Sequence, residues 1–171
     1  MYCSSPLPPA ARPLAGLWSM CTNLRVLNMD GVEQMCNTHF QAIRSLQNLT
    51  TLRFRRCTLA PKFSLSAQMD GSFLPRRLTT FCLGFENVVP DMVTYMRQEQ
   101  ESFFLGSLTR LRHLEVTSCF VVLCVDEAHL LKLAHSLSTL FTFRLPCERV
   151  AAFVRDVFEG HGIEIRVLGP V

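Results

Sequence analysis

Apolar residues recur along this chain in a fixed frame. In Leu49-Thr50-Thr51-Leu52-Arg53-Phe54-Arg55-Arg56-Cys57, frame positions 1, 4 and 6 are apolar and position 9 is cysteine. The first six positions recur as Leu24-Arg25-Val26-Leu27-Asn28-Met29, as Leu78-Thr79-Thr80-Phe81-Cys82-Leu83 and as Leu111-Arg112-His113-Leu114-Glu115-Val116. A weaker fifth copy is Leu140-Phe141-Thr142-Phe143-Arg144-Leu145. Positions 4 and 6, two residues apart, share one face of an extended strand. A bend after position 1 turns that leucine toward the same interior. Each copy therefore predicts a short strand with three inward side chains. The anchoring leucines stand 25, 29, 33 and 29 residues apart, so the third step needs an insertion or a longer helix. Ser45-Leu46, Ser107-Leu108 and Ser136-Leu137 keep the same register, four and three residues before an anchoring leucine.

The intervals between strands carry helical signals. Asn37 or Thr38 is expected to cap a helix through Phe40, Ile43 and Leu46. Pro90-Asp91 opens a helix over about 91–104, with Met92, Tyr95, Met96, Glu99 and Phe103 on its partly apolar face. Phe120 to Cys124 reads as an extended apolar segment, and Asp126 caps a helix carrying Leu130, Leu131, Leu133 and Ala134. Residues 58–77 read as a loop around Pro61, Gly71 and Pro75. Near the end, Glu148 to Phe158 forms an amphipathic helix with Val150, Phe153, Val154 and Val157 on one face, closed by Gly160 and Gly162. Ile163 to Val167 then alternates as a half-exposed strand, with Glu164 and Arg166 discouraging further pairing. Residues 1–16 form an irregular, proline-rich lead-in with no amphipathic cap, so an upstream segment is expected. Residues 17–171 form one repeat domain with a helix-strand cap over about 147–168.

This pattern resembles the leucine-rich-repeat proteins. Cys57 and Cys119 at position 9 resemble the cysteine-containing kind found behind an F-box, whereas Val32, Glu86 and Glu148 depart from it. The resemblance implies an α/β solenoid of about five to six irregular repeats, with a curved parallel sheet on the concave side and helices on the convex side. It also implies a protein-binding role, as the substrate-holding part of a ubiquitin-ligase adaptor. The resemblance covers the repeats and not an F-box.

Composition narrows the classes. Hydrophobic residues make up 49% and charged residues 18%, and the net charge is +3. That is too small for the basic excess of a dedicated nucleic-acid binder. The eight cysteines form no CxxC pair and no metal or disulfide framework, which suits a cytoplasmic or nuclear setting. No apolar run is long enough to span a membrane. Neither cofactor nor metal is expected, and the chain reads as monomeric or as part of a longer one.

Aligning the copies places outward residues in rows. Position 5 holds Asn28, Arg53, Cys82, Glu115 and Arg144; position 7 begins with Asp30 and Arg55; position 3 includes His113. Asn28, Asp30, Arg53, Arg55, His113, Glu115 and Arg144 are therefore the candidate partner-binding residues, and charge reversal at Arg53 and Glu115 is expected to weaken binding without unfolding. Arg53, Arg55, Arg56, Lys62, Arg76 and Arg77 also cluster. As a phosphate site they are the weaker reading, because interleaved aromatics and a glycine-rich cradle are missing. Asp126-Glu127-Ala128-His129 spells a helicase box, but no phosphate loop accompanies it, so it reads as a helix start. Cys82 and His113, near Glu115, would be the core of the alternative, a small thiol-dependent α/β enzyme. A partner-free structural segment of a larger scaffold is the other alternative.

Overall fold

Five anchoring leucines close the same tight turn. The leucine N–H donates to the carbonyl three residues earlier: Leu24 to Cys21, Leu49 to Leu46, Leu78 to Pro75, Leu111 to Leu108 and Leu140 to Leu137, at 2.8–3.2 Å. Leu46, Leu108 and Leu137, marked in the sequence by their serine partners, are fully buried. The computed structural model describes residues 20–60, 74–86, 108–117 and 127–168. Residues 61–73 of the loop expected over 58–77, the helix over 91–104, the segment 120–124 and the lead-in 1–16 lie outside them, as do Lys62, Cys119 and Asp126.

After each turn the chain runs into a strand. The strands are β1 (Val26–Asn28), β2 (Thr51–Cys57), β3 (Thr80–Phe85), β4 (His113–Val116), β5 (Thr142–Leu145) and β6 (Glu164–Val167). Among the described residues they make one six-stranded, all-parallel sheet in chain order. Three helices accompany it among the described residues: α1 (Asn37–Ser45), α2 (Glu127–Ser136) and α3 (Glu148–Glu159). The protein is thus α/β. The strands start two residues later than the frame predicts, because the anchoring N–H closes the turn and is lost to the ladder. Thr50 and Thr51 show the entry, both donating to the Arg25 carbonyl.

The register matches frame position to frame position. Leu27, Leu52, Phe81, Leu114 and Phe143 form one row across five strands, flanked by the row from Val26 to Thr142 and the row from Asn28 to Arg144. β6 extends these rows with Ile165, Glu164 and Arg166 respectively. Because successive strand side chains point to opposite faces, the central row turns inward, buried from Leu52 to Phe143 and half-buried at its ends Leu27 and Ile165, while the flanking rows face the other way. A single apolar cluster runs from Met29 to Ile163 and takes side chains from the strands and all three helices. Phe54 lies at its centre, its ring 5.9 Å from Phe40, 6.0 Å from Phe81 and 6.1 Å from Phe85.

Several local expectations are corrected. α1 is entered through Cys36 in an extended conformation, so Asn37 is already helical and neither it nor Thr38 is the cap. The Cys36 N–H donates to His39 Nδ1 at 3.1 Å. In α3 the buried residues are Val150, Ala151, Val154 and Phe158. At 3.6 residues per turn these four span about 100° of the helix, and Phe153 falls well outside that arc. Phe153, expected on the apolar face, is accordingly 49% exposed. The left-handed closing residue is Gly162 (φ +76°), whereas Gly160 stays right-handed. β2 runs on to Cys57 through a register shift after Phe54, with Arg56 in the left-handed region (φ +54°). Beyond the shift the Cys57 thiol donates to the Met29 carbonyl at 3.0 Å. A small, partly polar side chain at the ninth frame position thus satisfies a backbone carbonyl from the neighbouring repeat.

Candidate functional site: a charged hollow on the sheet face

The two outward rows, with Arg55 beside them, build a hollow of about 380 Å³ lined mainly by polar side chains from β2 to β6, with Phe81 and Leu114 of the central row also in the lining. Its centre is Glu115 on β4, directly opposite Cys82 on β3 and Arg144 on β5. The Glu115 side chain is only 11% exposed, yet it carries two cationic neighbours. Arg55 contacts Oε1 at 2.6 Å, and Arg144 stands 3.8 Å from Oε2. A buried carboxylate survives only with such compensation, since an unpaired ion away from water is costly.

Arg55 reaches Glu115 from two strands away. Two strand spacings are about 9–10 Å, so the guanidinium must cross β3, and the small residue there, Cys82, leaves it room. Arg55 Nε donates to Cys82 Sγ at 3.4 Å, and the Cys82 thiol donates to Glu115 Oε1 at 3.2 Å. Burial, with the acceptor Glu115 beside it, pushes the Cys82 thiol up to about 12, against the partial opposing effect of Arg55. Next to Cys82, Gly84 keeps the sheet close-packed: a Cβ there would overlap Thr117 Oγ1 and crowd the Phe54 carbonyl.

The expected residues divide into two groups. Arg53, Arg55, His113, Glu115 and Arg144 all line the hollow. Asn28 and Asp30 do not, and they are engaged in holding the chain after β1. Asn28 Oδ1 accepts from the Asp30 N–H, and Asp30 Oδ1 accepts from the Arg55 N–H, each at 2.9 Å. Asp30 thus fixes the backbone that launches Arg55. The basic cluster is split as well: Arg56, Arg76 and Arg77 are exposed away from the lining, and Arg77 donates to Asn48 at 2.8 Å. Arg166, Thr80 and Thr142 belong to the lining and were not among the candidates. Arg166 was legible, because the alternation of 163–167 aligns as a sixth row, but no leucine anchors that copy.

Cys82 and His113 are not bonded to each other. Cys82 engages Arg55 and Glu115, while His113 Nδ1 meets Thr142 Oγ1 at 2.6 Å. Among the described residues, no group of three His, Cys, Asp or Glu side chains could hold a metal ion, and none of the described cysteines is in a disulfide. No helix among them is long and apolar enough to cross a membrane. No family model matches this chain, and no curated protein matches it.

Proposed function

We propose that this chain is a leucine-rich-repeat solenoid whose sheet face is a protein-recognition surface. The observation that carries the reading is the register. Five frames spaced 25–33 residues apart meet position for position, which leaves the outward rows as one continuous polar ladder. An all-parallel sheet is normally covered on both faces; here one face carries Arg53, Arg144 and Arg166, all exposed. Stacked repeats of this type use that concave face to bind partners. By its cysteine-containing frames the chain would be the substrate-holding part of a ubiquitin-ligase adaptor, working in the cytoplasm or nucleus. The thiol-enzyme alternative draws less support, because a thiol pushed up to about 12 supplies almost no thiolate near neutral pH.

The test is affinity capture with the wild-type chain and an Arg53→Glu/Arg144→Glu variant, read by quantitative mass spectrometry. Glu115 is a poor probe, since reversing a buried carboxylate would set three cations against one another and disturb folding. One or more proteins held by the wild type and lost from the variant are the expected result. Identical captured sets from both would exclude the sheet face as the recognition surface.

A further inference from the structure

The hollow is unevenly charged, and the unevenness has a direction. Among the described residues four arginines line it, Arg53, Arg55, Arg144 and Arg166, against the single acid Glu115. Glu164, just outside the lining, pairs with Arg166 at 2.8 Å across exposed positions. Two positive charges remain unmatched even when that pair is counted. They sit chiefly on Arg53, whose guanidinium has no partner among the described residues, and on Arg144, whose 3.8 Å pair with Glu115 is loose. Glu115 cannot serve as a contact for a basic ligand, because its carboxylate is buried and already engaged by Arg55 and Cys82.

We infer that the hollow receives an extended, carboxylate-rich segment of a partner protein, crossing the strands from Arg53 to Arg166. Glu115 is then a positioning residue that holds the Arg55 and Arg144 heads apart. This inference rests on the reading of the sheet face as a protein-binding surface and adds the partner's chemistry. Arginine suits the task, because its planar fork matches carboxylates in pairs. From β2 to β6 the hollow crosses four strand spacings, about 19 Å, which an extended peptide covers in about six residues. A nucleic acid fits less well. Of the two rings among the described lining residues, Phe81 is 1% exposed and offers no face, which leaves the exposed His113 alone and no series of rings on which successive bases could stack.

The experiment is selection of random dodecapeptides displayed on phage against the whole chain, followed by binding of the selected peptides by fluorescence anisotropy. The expected pool is enriched in Asp and Glu. Its peptides should lose about tenfold or more in affinity with Arg53→Glu and weaken with Arg144→Gln, in line with charge pairs at the centre of an interface. Arg149→Glu, on the exposed side of α3, should bind like the wild type. Arg53 is exposed, so these variants should fold, as circular dichroism would verify; Arg53→Gln replaces the reversal if it does not. A neutral or basic pool that is still lost with Arg53→Glu overturns the acidic-partner inference and leaves the binding face standing. A pool indifferent to Arg53, or no enrichment at all, removes both. A single-stranded oligonucleotide that binds more tightly than the selected peptides at equal salt also overturns the inference.

Discussion

At the residue scale, the cysteines show how one side-chain type takes different parts in the same frame. Cys57 is buried and donates to the Met29 carbonyl, and burial pushes its thiol upward. Cys82 is buried between a guanidinium and a carboxylate and is pushed up to about 12. Cys21, before the first strand, is exposed. Because the thiolate is the reactive form and access is needed as well, iodoacetamide at pH 8 should label Cys21 rapidly in the folded protein. Cys57 and Cys82 should be protected until denaturant is added, as peptide mapping by mass spectrometry would record. Rapid labelling of Cys82 in the native state would contradict its placement under Arg55. The place of Cys57 in the frame was legible in the sequence. The part played by Cys82 was not, because it depends on a side chain launched two strands away.

At the level of elements, helix α1 carries a titration. His39 is 7% exposed at the helix start, and burial holds its pKa below the ordinary 6.5. Between the folded value and 6.5 the unfolded chain binds more protons than the folded one, so stability rises with pH across that window. This contribution is fully present above pH 6.5 and is lost as pH falls through the lower folded value. The thermal midpoint should therefore drop on acidification below pH 6.5, and His39→Gln should flatten that drop; an unchanged slope in the variant would place the titration elsewhere. The sequence signalled α1, α2 and α3 through apolar spacing, and their positions agree to within a residue or two. It misassigned the cap of α1 and the exposed Phe153 of α3. The α1 cap is set by the local bond from Cys36 to His39, a pair outside the usual capping residues, and the exposure of Phe153 depends on which neighbouring element a face meets, which spacing within one element does not record.

For the molecule as a whole, the central row of the sheet is the common support of every strand. Leu52, Phe81, Leu114 and Phe143 are each 3% exposed or less. Truncating Leu52 leaves a cavity between β1 and β3 that stiff neighbours cannot fill, so Leu52→Ala should cost about 2–5 kcal/mol. Val26, in an outward row and 58% exposed, should tolerate alanine within about 0.5 kcal/mol. Urea unfolding of both variants, with midpoints compared at a common slope, measures the difference. Equal losses would mean that the two rows do not face opposite sides.

What the sequence determined by itself was the frame: five anchoring leucines, the strands behind them, the α/β class and the residues sharing each outward row. Short-range periodicity is sufficient for that, since position within a strand decides which face a side chain takes. Tertiary structure alone decided the electrostatics. Glu115 and Arg55 are 60 residues apart in sequence, and no local pattern says that one will be buried under the other. Their meeting follows from strand order, from the small Cys82 between them and from Asp30 holding the backbone of Arg55. A polar row read from the sequence thus became a hollow with a buried acid at its centre and unmatched arginines at its rim. Burial and charge pairing are properties of neighbours, and the sheet chose the neighbours.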